Sequence, residues 1–520
     1  MKDSVDIFNL VKSLSMSEKR YISMSALAHK SDSTNYKLFR ALDSMDVYDQ
    51  TQLHKRLKSE ALVKNMAVIK QNLHRFIMKS LRGFYSNSNE AISMYELLIE
   101  VVIMYDKRNV AEAKRALGKL EKLAKEQHNL DVLNLCYKYE RKLNISRLTA
   151  KSSQELDRFN KMYAETVKQL QVESYYHGLE DALQEFYLRK GFIRKKSEQN
   201  YVRRFLQNPY MKDVRFAITP YAKEMYYNLK GLCYLLLDQY SEALKNAEAE
   251  LKLIKKDIAN NATRFYHYIT IYNNKVEMYM HLHKYKEACG FLNELRQLPS
   301  VAVKEKWPYK IPAQTLFTLE INCLQMESII YFTTANFDKA LRTYALLEGK
   351  TSEMKFGQDG FAIELYTYYN AYTHFILGNF KQTVAYLQRV LKFGKDDNVY
   401  REDIYSYSKI LQLIAHYEMG DEALSAYLLK STYRFLVHKE RIYPSEEAII
   451  SFIRNQLHRN YKPEMFNDNL MKLKHKLEKI IQTRYERKIL EYFDFIAWID
   501  SKIQRKPFID VMKEKYYVQL

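Results

Sequence analysis

Side chains able to act on a substrate or hold an ion are few and scattered in this chain. The closest histidine pair is His281 and His283, separated by Leu282. On a helix those two rings point roughly 200° apart, which does not suit a shared metal, so both read as polar residues near a turn. Cys136, Cys233, Cys289 and Cys323 lie far apart with no C-x-x-C pair. They read as small buried hydrophobes in a reducing compartment. No Gly-rich phosphate loop, nucleophile elbow or HExxH is present, so the usual sequence signs of phosphate, acyl or zinc chemistry are missing. The acids are dispersed, and no carboxylate pair stands out in an apolar setting. No metal and no cofactor is expected, and the chain is expected to be non-catalytic. An enzyme would need a site assembled across distant segments.

What does concentrate is positive charge, within a formal net charge of +20. Segment 55–82 holds eight basic residues and one acid, Glu60, with Lys64, Arg75 and Arg82 opposite an apolar helical face. Segment 189–215 holds nine basic residues and two acids. The candidate basic patch there is Arg189, Lys190, Arg194, Lys195, Lys196, Arg203 and Arg204, with Phe192, Tyr201 and Phe205 interleaved. An even spread of the net charge would leave only about +1 in that segment. Lys and Arg contacts to phosphates release counterions, which is the footing for RNA or DNA binding. A basic surface equally serves an acidic protein partner, or is a solvated face.

The elements that must carry these residues are helices. The chain has 12 Gly and 8 Pro in 520 residues, where about 12% of an average chain is Gly or Pro. A sheet protein needs turn residues more often than that. Segment 222–256 shows the unit. Two amphipathic stretches flank a tight turn at Asp238-Gln239-Tyr240, with Ser241 as expected N-cap of the second. Gly231 and Ala243 let the two backbones approach. Ala243, Ala247, Leu251 and Ile254 mark the buried face. One hairpin cannot bury that face alone, so neighbours must stack on it.

Gly231, Tyr234, Tyr240 and Ala243 resemble the tetratricopeptide repeat pattern. Weaker copies contain Tyr279, Tyr285 and Ala288, then Ser328, Tyr331, Phe337 and Ala340, then Ala371, Phe380 and Thr383. The turn aromatics Tyr240, Tyr285, Phe337 and Phe380 are 45, 52 and 43 residues apart, against about 34 for the standard repeat. The resemblance implies an all-α, right-handed superhelical solenoid of antiparallel helix pairs. It also implies that the first helix of each pair lines a concave groove. The residue three before each small position then points into it, which selects Asn228, Asn273, Gln325 and Tyr368. Three carboxamides and a tyrosine there could hydrogen-bond an extended peptide. Ordinary exposed polar helix positions would look the same.

Taken in order, the chain reads as an N-terminal helical module (1–88), long hairpins that include the second basic segment (89–220), repeats (221–436) and C-terminal capping helices (437–520). Ser15 to Glu18 reads as a capping box. Pro299, Pro308 and Pro312 mark one connector, and 349–360, with three glycines, another. Segment 467–504 reads as one long helix that caps the last repeat. SLSMSEKRY (13–21), NYKLFRALDSMDVYD (35–49), LHRFIMKSLRGFY (73–85) and AHYEMGDEALSAYLLKSTYRFL (415–436) resemble a family of tetratricopeptide-type proteins from Bacteroidetes bacteria. That resemblance implies architecture and bacterial origin, not chemistry. No apolar run approaches the roughly 20 residues of a membrane span and the first residues lack a signal-peptide core, so a cytoplasmic protein with no membrane insertion is expected. Two functions follow. The first is a scaffold that holds a protein or peptide partner in its groove. The second is a helical solenoid that binds nucleic acid through the basic clusters. Oligomeric state is not legible.

Overall fold

The computed structural model describes residues 4–28, 33–57, 65–86, 89–145, 150–255, 258–259, 263–352, 360–393, 401–457 and 463–520. Among the described residues every regular element is helical and none is a strand. The architecture is an all-α solenoid of helix pairs. The chain divides into two compact units, Met1–Gln171 and Val172–Leu520. That division falls inside the segment 89–220.

In the first unit, α1 (Ser4–Ser13), α2 (Met16–Ala28), α3 (Ser33–Asp43), α4 (Gln50–Leu57) and α5 (Met66–Tyr85) enclose Ile7, Val11, Ile22, Leu38, Leu42 and Leu73. The capping box forms: Ser15 N–H donates to Glu18 Oε2 at 2.6 Å, and Glu18 N–H to Ser15 Oγ at 3.3 Å. Helices α6 (Glu90–Asp106), α7 (Val110–Glu126) and α8 (Leu130–Ile145) pack each on the next around Ala113, Leu117, Leu120 and Cys136. Helix α9 (Ala150–Lys190) belongs to this unit up to Gln171.

The second unit continues with α10 (Lys196–Gln207) and the short α11 (Pro209–Lys212). Five hairpins follow, the first made by α12 (Pro220–Leu236) and α13 (Tyr240–Ile254). Then come α14 (Thr263–His281) with α15 (Tyr285–Lys304), α16 (Ala313–Thr333) with α17 (Phe337–Ser352), α18 (Gly360–Ile376) with α19 (Phe380–Phe393), and α20 (Glu402–Glu418) with α21 (Glu422–His438). Thr219 caps α12 by accepting from Ala222 N–H at 2.9 Å, and Pro220 takes its first position, where a missing N–H costs nothing. Helix α12 stops because Asp238 adopts φ 55°; Gln239 N–H then donates to Tyr234 O at 2.8 Å. The same device ends the first helix of every later pair, at His283, Ala335, Gly378 and Gly420. In the first four hairpins the turn aromatic is the first residue of the second helix. The cap of α13 is therefore Gln239 rather than Ser241, and it makes no side-chain bond. Gly231 and Ala243 are buried as the close approach requires. A Cβ at Gly231 would lie 3.8 Å from the Ala243 carbonyl oxygen.

Three expectations about connectors and the C-terminal part change. Pro299 lies inside α15, so the connector after it begins only at Glu305. Helix α17 runs through Gly349 to Ser352, and 353–359 lie outside the described residues. The single helix expected over 467–504 is instead α23 (Phe466–Ile480), α24 (Arg484–Arg487) and α25 (Phe495–Ile503), followed by α26 (Phe508–Tyr516). Thr483 and Asp494 make the breaks, accepting from Glu486 N–H at 3.4 Å and Ala497 N–H at 2.9 Å. Phe493, Phe495 and Trp498 are all buried in the largest core cluster, together with residues of α18 and α20. A straight helix offers one buried stripe and could not seat all three there. Helix α22 (Pro444–Gln456) packs on α21, and α23 packs on α22, as a cap does. Beyond them the chain turns back onto the hairpins: Tyr368 Oη donates to Tyr492 O at 2.9 Å, and Val518 N–H to Thr334 O at 3.2 Å.

Gly191 fixes where α9 ends. It has φ 67°, and an added Cβ would overlap the Asp403 carboxylate and come within 2.8 Å of Tyr492 Oη. Asp403 is fully buried and paired with Arg401, so nothing there can yield cheaply. Gly191→Ala is expected to destabilise the protein by about 3 kcal/mol or more. Gly290→Ala, whose Cβ would meet nothing within 4 Å on a helix, should be neutral or gain up to about 1 kcal/mol. Urea unfolding of the two variants checks this; equal midpoints would contradict it.

Candidate functional site

The second unit contains a partly open cavity of about 1410 Å³, larger than the roughly 300–1,000 Å³ common for small ligands. One wall is built by the first helices of three successive hairpins. Helix α14 contributes Tyr266, Thr270, Asn273, Glu277 and His281; α16 contributes Asn322, Gln325, Ile329 and Phe332; α18 contributes Leu365, Tyr369 and Tyr372. Steps of three and four keep each set on one helix face. Of those twelve residues Glu277 is the only acid, and none is Lys or Arg.

Two carboxamides on this wall are incompletely satisfied. Asn273 Oδ1 and Gln325 Nε2 are buried and have no hydrogen-bond partner in the structure. Ten further side-chain atoms among the described residues, none on a residue that lines the cavity, share that state. His281 stacks on Tyr240 with centroids 4.5 Å apart and lies 3.9 Å from Glu277. Burial pushes its pKa down, but Glu277 outweighs this and the net shift is upward.

The facing wall is formed by the returning segment 482–518, and it is charged. Asp238, in the left-handed turn after α12, receives Arg484 Nε and Lys488 Nζ, each at 2.7 Å. Burial alone would raise the Asp238 pKa, but Lys488 and Arg484 hold it below the usual carboxylate value. Lys488 Nζ also donates to Tyr240 Oη at 3.1 Å and sits 4.7 Å from the centre of the Phe192 ring. Asp494 accepts from Lys515 Nζ at 2.7 Å and Tyr516 Oη at 2.5 Å, while its own N–H donates to Tyr372 Oη at 2.8 Å. Arg401 lines the cavity and pairs with Asp403. It also donates to Tyr187 Oη at 3.0 Å, and burial pushes the Tyr187 hydroxyl up to about 12.

Two of the four predicted groove positions, Asn273 and Gln325, line this cavity. Asn228 is not among its lining residues; it lies near Glu250, which is buried beside His267, and helps offset the rise that burial gives that carboxyl's pKa. Tyr368 is a correction. It is fully buried in the core, and the cavity face of α18 passes through its neighbour Tyr369. That helix is turned by about one residue relative to the repeat pattern. The wall supplied by 482–518 had no signal in the sequence beyond its Arg and Lys content.

The basic patch is also corrected. Arg194 is buried, not on the surface. It donates to Glu446 at 2.9 Å, Glu486 at 3.0 Å, Tyr407 Oη at 2.8 Å and Ser445 Oγ at 3.0 Å. Arg189 pairs with Glu185 at 3.1 Å, and Lys190 is half-buried. Lys195, Lys196, Arg203 and Arg204 are exposed in the second unit. Arg75 and Arg82 are exposed on α5 in the first unit, and Lys64 lies outside the described residues. Among the described residues no group of three or more His, Cys, Asp or Glu is placed to hold a metal ion, and no helix is long and apolar enough to cross a membrane.

No family model matches the chain, and no curated protein matches it. Among solved structures it is similar to the apo form of the quorum sensor NprR from B. thuringiensis. Identity is 14% and the TM-score 0.39, over 73% of this chain and 99% of that one. A similarity of that size carries no inference about ligand or role.

Replacing Arg194 by Met leaves Glu446 and Glu486 buried without their cation. The expected cost is about 3–5 kcal/mol, read as a lower urea midpoint. Arg203→Ala and Arg204→Ala, at exposed positions, are expected to stay within about 0.5 kcal/mol of the parent chain.

Proposed function

We propose that the second unit is a non-catalytic scaffold that holds an extended peptide, free or as a segment of a protein partner, in this cavity. The observation that carries the reading is the pair of carboxamides on the cavity wall. Asn273 and Gln325 occupy corresponding places on α14 and α16, and both line the cavity, where an amide side chain can donate and accept. A peptide backbone offers the complementary N–H and C=O at every residue. The aromatic and aliphatic side chains around them, among them Tyr369, Ile329 and Phe332, suit apolar ligand side chains. With Glu277 beside His281 and no Lys or Arg on the α14, α16 and α18 faces, a neutral ligand fits better than the acidic partner considered from net charge.

Absence of catalysis is part of the proposal. One observation in its favour is that burial raises all four thiols, Cys136 and Cys233 to about 12, Cys323 to about 11 and Cys289 in the same direction, which disfavours the nucleophilic thiolate. The nucleic-acid reading loses Arg194 from its cluster, because that side chain is committed to buried carboxylates.

The test is a fluorescence-polarisation screen of the purified chain against a library of extended uncharged peptides. Asn273→Ala with Gln325→Ala is then measured on the best binder. Each hydrogen bond lost is worth about 1 kcal/mol, so affinity is expected to fall about 10- to 100-fold. An unchanged affinity, with the fold intact, would remove the cavity from the proposal.

A further inference from the structure

One edge of the cavity is already occupied by the chain itself. After α26 the backbone becomes extended at Tyr517, with φ −62° and ψ 124°. Residues 517–520 then run past the turn between α16 and α17. Val518 N–H donates to Thr334 O at 3.2 Å, and Val518 O accepts from Asn336 Nδ2 at 2.9 Å. Both main-chain groups of one residue are thus engaged, as when a strand is added to an open edge. The Asn336 amide is aimed by Thr334, whose carbonyl and hydroxyl oxygens each lie 3.0 Å from Nδ2. Thr334 is itself fully buried, so the reading groups are fixed.

Side chains along the segment alternate. Tyr517 and Gln519 are exposed, whereas Val518 lines the cavity and Leu520 packs on the core of α13 to α16. A period of two is what an extended chain on a surface produces. Nothing in these contacts depends on the segment being covalently joined to the protein. Main-chain bonds and two apolar contacts are what a separate peptide would make.

We infer that residues 517–520 are an internal stand-in for the ligand, and that the turn holding Thr334 and Asn336 is a peptide subsite at the edge of the cavity. The inference rests on the cavity reading above and specifies the ligand class: an extended segment with apolar side chains two residues apart, as in Val-x-Leu. A tethered competitor acts at an effective concentration in the millimolar range. It therefore keeps the subsite closed to weak or poorly matched peptides, and a cognate ligand must displace it.

The experiment compares the full chain with one shortened after Tyr516, using a fluorescein-labelled peptide that reproduces residues 517–520. The shortened chain is expected to bind it at least 10-fold more tightly than the full chain. The same peptide carrying Asp in place of its Val should not bind. Full-length Val518→Asp, which evicts the segment without shortening the chain, should bind the unaltered peptide like the shortened chain, and it decides the matter if shortening unfolds the protein. A shortened chain that keeps its Tm yet binds no better than the full chain overturns the inference, as does a Val518→Asp chain that gains nothing. The two readings fail separately. Binding of the 517–520 peptide, with Asn273→Ala and Gln325→Ala silent toward library peptides, upholds the subsite while removing the cavity. The reverse pattern removes the subsite and leaves the cavity.

Discussion

Ion pairs, several of them largely withdrawn from water, hold residues 484–494 against the hairpins, and that stretch forms part of one wall of the cavity. Arg194 joins the stretch after α9 to Glu446 on α22 and to Glu486 on α24. Arg401 and Asp403 pair at the start of α20, and Tyr492 Oη closes on the same aspartate at 2.5 Å. Asp238 ties Arg484 and Lys488 to the first hairpin turn. Burying such groups costs several kcal/mol per ion, so they are weak evidence for stability as such. What they supply is register. An apolar segment could slide along an apolar wall at little cost. A guanidinium shared between two carboxylates has one acceptable position, and moving it leaves a bare charge in the interior. Tyr368 and Tyr372 add neutral anchors at the backbone of residues 492 and 494. The returning segment is therefore placed residue by residue.

The hairpins could be read from the sequence because their determinants are local. A turn needs a residue that tolerates positive φ and a following aromatic that starts the next helix. These recur as Asp238 and Tyr240, His283 and Tyr285, Ala335 and Phe337, Gly378 and Phe380. Close packing needs a missing side chain, and Gly231 against Ala243 shows it. Within such a frame the inward helix face follows from the 3.6-residue period, which is how Asn273 and Gln325 were reachable. The same rule missed at Tyr368, because the rotation of a helix about its own axis depends on what it packs against. Helix α18 packs against Phe493 through Tyr372 and Phe375 as well as against its repeat neighbours.

The C-terminal half-turns were not legible for a related reason. Residues 467–504 have helical periodicity throughout, and only the capping side chains Thr483 and Asp494 mark the breaks. A lone Thr or Asp in a helical pattern is a weak signal; it becomes a cap when burial of Phe493, Phe495 and Trp498 in one cluster rewards the bend. Arg194 misled in the same way. A run of Arg and Lys looks like a solvated or nucleic-acid-facing surface until distant carboxylates at 446 and 486 are brought to it. Charge clustering is local information, whereas charge pairing across 252 residues is not.

The two walls of the cavity differ in a way that bears on energetics. The charges of the segment wall are mostly paired: Arg484 and Lys488 with Asp238 of the first hairpin turn, and Asp494 with Lys515 and Tyr516. Up to Tyr516 that wall is costly to rearrange. The hairpin wall carries no Lys or Arg on its α14, α16 and α18 faces and presents the carboxamides of Asn273 and Gln325. A neutral amide costs less to strip of water than an ion does, so hydrogen bonds made to this wall carry a smaller desolvation cost than bonds to the charged one. A neutral amide wall opposed to a mostly ion-paired one thus favours occupation by another backbone. The Thr334 and Asn336 turn shows the same preference already satisfied by residue 518.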